Sequence, residues 1–212
     1  AASTSTVSDS LPPDRAVNLV ARQRTERAIA FGSRALRGAI SHAVAALWAD
    51  VLIAVPESVL VLDSARVGGA VGFAEIEAQF ALHGVDTRLR MADGHADPTG
   101  WSWNAAVDIV LDAGLGSSLD DALHALSQGK PVITMTADRP QSRAVASLLS
   151  SLGFDDCVTG DPDRYVAMAV GLARDPEALA ATTRRIVERV KDAQKQVERD
   201  GFFAGLELGS EV

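Results

Sequence analysis

The residues best placed to do chemistry follow the apolar run at 107–112. There the turn Gly114-Leu115-Gly116-Ser117-Ser118 leads into Leu119-Asp120-Asp121. A glycine-rich turn feeding a helix presents unpaired backbone N–H groups and the positive end of the helix dipole, the ingredients of an anion site. The same residues also read as purely structural. Ser118-x-x-Asp121 is a capping-box variant, Asp120 and Asp121 in a first turn complement the dipole, and two carboxylates repel a phosphate. A second candidate is Arg139-Pro140-Gln141-Ser142-Arg143. Arg143 could reach a phosphate or carboxylate, pair with Asp138, or cap a neighbouring helix. Trp101 and Trp103 could stack on a base or sugar, or cover the edge of a core. His124 falls mid-helix, where a solvent-facing or hydrogen-bonded imidazole is the default. His95 lies in a polar loop with no assignable partner.

Other chemistries are disfavoured by composition. Cys157 is the single cysteine among 212 residues, so no intramolecular disulfide and no cysteine-rich metal site can form. Its acidic flank, Asp155-Asp156, raises rather than lowers a thiol pKa, which points to a small buried or half-buried apolar residue. The four histidines (His42, His83, His95, His124) lack zinc-binding spacing, so no metal is expected. Twenty Lys and Arg against 28 Asp and Glu give a net charge of −8. A chain this acidic has no global footprint for nucleic acid and little attraction to anionic membranes. No apolar run reaches the ~18 residues of a membrane span, and no signal peptide is visible at the N-terminus.

The elements that position these residues alternate regularly. Residues 1–14 are Ser/Thr/Pro-rich and are expected to be a disordered leader or linker. Short apolar strands are expected at 28–31, 58–63, 87–91, 107–112, 131–135 and 156–159. Helices are expected at 40–55, 73–82, 101–106, 119–128 and 142–152, with Pro56, Gly84, Gly129 and Gly153 as stops. From 163 to about 200 the chain reads as helical, with a break at Asp175-Pro176. Strands and helices alternating at this spacing predict an α/β fold, a Rossmann-like parallel sheet with helices on both faces. The expected division is a domain at 15–200 and a tail at 201–212. The stretch 179–197 carries Arg184, Arg185, Arg189 and Lys191 against Glu188 and Asp192. It reads either as a salt-bridged surface helix or as a helix that packs on a further lobe.

Several segments, in order, resemble the C-terminal lobe of O-GlcNAc-transferase-like glycosyltransferases, the family that includes the plant SPINDLY proteins. They are Phe31-Gly32-Ser33, Ile40, the run 46–60, the run 108–112, Ala125-Leu126, the run 129–134, the run 142–149, Leu152-Gly153 and the run 165–176. The resemblance implies one lobe of a two-lobed GT-B enzyme, with a UDP-sugar as donor, a missing N-terminal lobe or partner protein, and the cytoplasm as compartment. It also places the donor site. The family's lysine that supports the diphosphate falls on Ala39, beside Ile40. The family's His-Thr-Thr at the phosphate-facing helix falls on Leu119-Asp120-Asp121, and its ribose-binding Asp on His124. The groups around the base fall on Asp97, Gly100 and Trp103. Ser142-Arg143 is shared, and Ser117 and Ser118 form the adjoining turn. Leaving-group stabilisation needs cations or N–H donors around the diphosphate, and these positions supply few. The expected function is therefore a degenerate lobe with no catalytic residue of its own, serving as a scaffold or as the non-catalytic part of a larger assembly. The alternative is a working lobe that passes a sugar from a UDP-sugar to protein Ser/Thr.

Overall fold

The computed structural model describes residues 28–92, 103, 106–114, 118–136 and 143–207. Six strands form one sheet: β1 (Ala30–Ser33), β2 (Val59–Asp63), β3 (Leu89–Ala92), β4 (Ile109–Asp112), β5 (Val132–Met135) and β6 (Val158–Thr159). All pair in parallel, in the order β3-β2-β1-β4-β5-β6. The helices are α1 (His42–Ala54), α2 (Ser64–Val67), α3 (Gly69–Ala81), α4 (Leu119–Ser127), α5 (Arg143–Ser151), α6 (Pro162–Arg174) and α7 (Pro176–Glu207).

Alternation along each strand sorts the core into two layers. Phe31, Leu60, Leu62, Ile109, Leu111 and Ile133 point to the face covered by α1, α3 and α6. Ala30, Val61, Val110 and Val132 point to the face covered by α4, α5 and α7. Both faces are thus covered, as the sequence predicts. α1, for instance, buries Val44, Leu47, Trp48, Val51 and Leu52, and the Trp48 indole N–H donates to the Tyr165 hydroxyl of α6 at 3.3 Å.

The helix starts follow capping chemistry. Ser41 accepts from the Val44 N–H, Ser118 from the Asp121 N–H, and Asp161 from the Asp163 and Arg164 N–H groups. Pro162 fills the first turn of α6, where its missing N–H has no consequence. At the other end of α1 the part-buried Arg88 guanidinium donates to the carbonyls of Leu52, Val55 and Ser58, at 2.6–2.8 Å. It thereby satisfies carbonyls that a helix end leaves open.

β1 begins two residues later than the expected 28–31, and β6 is shortened to Val158–Thr159 behind a 3-10 turn at Asp155–Cys157; two helix boundaries differ as well. The helix expected from Phe73 begins at Gly69, preceded by the short α2. Gly68 (φ 85°) supplies the left-handed residue that joins α2 to α3. Likewise, α7 continues past the expected end near 200 to Glu207. It buries Leu179 and Ile186, and its Arg185 donates to both oxygens of Asp156, at 2.9 and 2.6 Å.

Cys157 is buried, as expected. Burial, reinforced by Asp156, pushes its thiol up to about 12. A thiol held above its ordinary value is protonated and inert near neutrality. Iodoacetamide at about pH 8 should therefore leave the folded chain unlabelled, and labelling should become complete in denaturant. Rapid modification of the native chain would show that this side of β6 opens readily.

Candidate functional site

Open parallel sheets bind ligands beyond the carboxyl ends of the strands, where adjacent strands send their connections in opposite directions. Here that switch point lies between β1 and β4. β1 runs on through α1 to β2, whereas β4 runs through α4 to β5. The crevice is therefore framed by the residues just after β1, those just after β2, and the first turn of α4.

Four charged side chains meet there. Arg34, directly after β1, donates from Nε to Asp63 Oδ2 at 3.0 Å. Its Nη1 lies 3.0 Å from Asp121 Oδ1. Arg66, in α2, donates from Nη2 to both oxygens of Asp121, at 3.2 and 3.0 Å. The carboxylates are the more enclosed partners, with Asp63 1% and Asp121 11% exposed, against 21% for Arg34 and 31% for Arg66. Exposed ion pairs contribute little. A partly enclosed network of charge-assisted hydrogen bonds contributes more and fixes geometry. Two cations face two anions, so the network is neutral. Asp121 bridges the crevice from the α4 side to the β1 and β2 sides.

The floor is equally defined. Asp112 ends β4, 2% exposed. It accepts from the Gly114 N–H at 2.9 Å and from the Thr134 hydroxyl at 2.6 Å, which ties the turn after β4 to β5. Asp108 accepts the Ala30 N–H at 2.9 Å and secures the near end of β1. Trp103 is 2% exposed. A Cβ on Gly32 would come within 2.7 Å of its ring, so only glycine allows this approach. Arg34 lies over that ring, 5.9 Å from its centroid. Trp103 therefore covers the core edge, the structural one of its two readings.

The expected site residues are distributed unevenly. Ser118 caps α4, with its Oγ 3.0 Å from the Asp121 N–H; this is the serine half of the expected capping box, while the Asp121 carboxylate turns to Arg34 and Arg66 instead. Leu119 and Asp120 are exposed on the same turn. Asp121 is not the free, phosphate-repelling carboxylate the sequence suggests, because two arginines neutralise it. His124 is half-buried, and its Nε2 has no partner among the described residues. Ala39 is half-buried in the 3-10 turn Arg37–Ala39 and brings no charge. Ser117, Ser142, Asp97, Gly100 and Trp101 lie outside the described residues. Arg143 opens α5 and is exposed. It lines a separate cleft of about 750 Å³ at the ends of β5 and β6, together with Thr136, Ser147, Ser150, Gly160 and Pro162. Among the residues lining that cleft only Arg143 is charged, whereas four charged side chains converge at the switch point, which makes the switch point the better chemical candidate.

Sequence reasoning passed over Arg34, Arg66 and Asp63. A usable signal exists: in a parallel sheet, charged residues directly after two buried strands land on the ligand-binding edge. Among the described residues no cluster of His, Cys, Asp or Glu suits a metal ion, and no helix is long and apolar enough to cross a membrane.

Sheet order and crevice define a Rossmann-like α/β domain. Residues 14–198 match glycosyl transferase family 41, and the chain belongs to that family. It is 26% identical over 186 residues to a Hordeum vulgare protein named "Probable UDP-N-acetylglucosamine--peptide N-acetylglucosaminyltransferase SPINDLY", covering 84% of this chain and 19% of that protein. Among solved structures it is similar to a lysine-to-methionine mutant of the Thermobaculum terrenum O-GlcNAc transferase, with a TM-score of 0.72 and 26% identity, over 77% of this chain and 32% of that one. Sucrose-phosphate synthase from Thermosynechococcus elongatus shares the fold at a TM-score of 0.56 and 17% identity, over 88% of this chain and 49% of that one. The chain thus spans only a fraction of the relatives it matches.

Proposed function

We propose that this chain is a nucleotide-sugar-type lobe of family 41 that does not catalyse transfer as it stands and acts as a scaffold or as the non-catalytic part of a larger assembly. One observation carries the reading. The two arginines at the switch point, Arg34 and Arg66, are already neutralised by Asp63 and Asp121. Departure of a nucleoside diphosphate requires positive charge or N–H donors aimed at the developing negative charge. Ala39 offers no cation, Leu119 offers no polar group, and Asp120 adds negative charge.

The test is calorimetric titration of the whole chain with UDP and with UDP-GlcNAc. No heat of binding is expected up to about millimolar ligand, a limit of roughly 4 kcal/mol of affinity. Micromolar binding that weakens in Arg143→Ala or Ser118→Ala would overturn the proposal. That result would favour the working lobe, with a UDP-sugar donor and a protein Ser/Thr acceptor. The Arg143 cleft is the observation that keeps this second reading in view.

A further inference from the structure

We propose that Arg34 and Arg66 form an anion site whose resident ligand is the chain's own Asp121, and that a phosphate or diphosphate group enters only by displacing that carboxylate. The inference rests on the reading above for where a ligand's phosphates would lie, but its test uses no nucleotide.

The two arginines come from separate segments, yet both turn onto the two oxygens of a single carboxylate. Drawing two guanidinium groups together is unfavourable unless an anion sits between them. The two carboxylates of the network differ in how firmly they are held. Asp63 is 1% exposed and also accepts the Ala65 N–H at 3.0 Å as the cap of α2, so it is part of the framework. Asp121 sits in the first turn of α4, and among the described residues its carboxylate accepts only from Arg34 and Arg66. The start of α4 does not depend on that carboxylate, because the Asp121 backbone N–H is held separately by Ser118. Rotation of the Asp121 side chain therefore breaks the clamp without unwinding the helix.

Once it has swung away, Arg34 and Arg66 face the crevice against Asp63 alone. Two guanidinium groups set against one fixed carboxylate, and the N-terminus of a nine-residue helix, then converge on the switch point, with Asp120 and the rotated Asp121 turned to its outer side. A guanidinium fork suits an oxyanion that can take two donors at once, and a phosphate offers oxygens enough for both arginines. A tethered carboxylate competes at high effective concentration. A simple monoanion such as acetate does not displace it, whereas a multiply charged phosphate has the Coulombic advantage. The resident carboxylate thus sets a threshold that selects for charge.

The probe is inorganic pyrophosphate, titrated calorimetrically into the whole chain at low salt. Asp121→Asn, close to isosteric and uncharged, should bind it at least about tenfold more tightly than the wild type. Asp121→Asn combined with Arg66→Met should fall back to the wild-type affinity or below. Equal affinity of Asp121→Asn and wild type would overturn the proposal, and so would a gain that survives loss of Arg66. Should Asp121→Asn fail to fold, the wild type answers by NMR. Pyrophosphate at about 10 mM should shift the Arg34 and Arg66 Nε–H signals while acetate leaves them in place, and unmoved signals would overturn the proposal. Micromolar UDP binding by the wild type would instead remove the non-catalytic reading and leave the pyrophosphate comparison intact.

Discussion

Trp48→Ala should lower the free energy of unfolding by about 3–5 kcal/mol. Trp48 is completely buried in α1 and joins α1 to α6 through its hydrogen bond to Tyr165, which is also completely buried. Truncation leaves a cavity the size of an indole between two helices that are both packed on the sheet, so collapse is limited. It also strands the Tyr165 hydroxyl. Burial holds that hydroxyl well above its ordinary pKa, so ionisation offers no escape near neutrality. Two controls separate the contributions. Trp48→Phe keeps a ring and loses the N–H, and Tyr165→Phe removes the acceptor alone. Each should cost about 1–2 kcal/mol. Urea denaturation checks all three, with midpoints that move at constant slope. An unchanged midpoint for Trp48→Ala would mean that the α1–α6 seam contributes little to stability.

Asp112→Ala should cost about 2–4 kcal/mol and should also loosen the site. Both carboxylate oxygens are engaged in a buried place. Alanine leaves the Thr134 hydroxyl and the Gly114 N–H without their acceptor, and an unpaired buried polar group bears its full desolvation cost. The effect should spread along the chain. Gly114 begins the connection that delivers Ser118, and Ser118 holds the Asp121 N–H. Hydrogen exchange at Asp121 should therefore accelerate more than exchange in β2. Uniform acceleration across the sheet would mean that Asp112 supports the fold as a whole and not this connection.

The strands were largely legible because parallel strands covered on both faces must be short and apolar. The runs at 58–63 and 131–135 declare themselves as β2 and β5, and the α6–α7 break follows from Pro176. The clamp was not legible. Arg34 and Asp121 are far apart in sequence, and only the adjacency of β1 and β4 brings them together. No periodicity reports that adjacency. Adjacent identical residues also hide their difference. Asp120 and Asp121 look equivalent as letters, yet the helical rotation of about 100° between them sends one outward and the other into the crevice. The capping role of Ser118 could be read from spacing alone, because it depends only on residues within one turn.

α7 measures about 48 Å from Pro176 to Glu207 at 1.5 Å per residue. Its buried contacts, Leu179 and Ile186, lie in the nearer part of that length, and Thr183 and Val187 rest against Gly129 at the foot of α4. From Ile186 outward roughly 30 Å of helix remains, so a tilt of about 10° at the foot carries the far end some ~5 Å. The geometry is that of a pointer on a short pivot. The foot of this helix rests against the end of the same helix that carries Asp121.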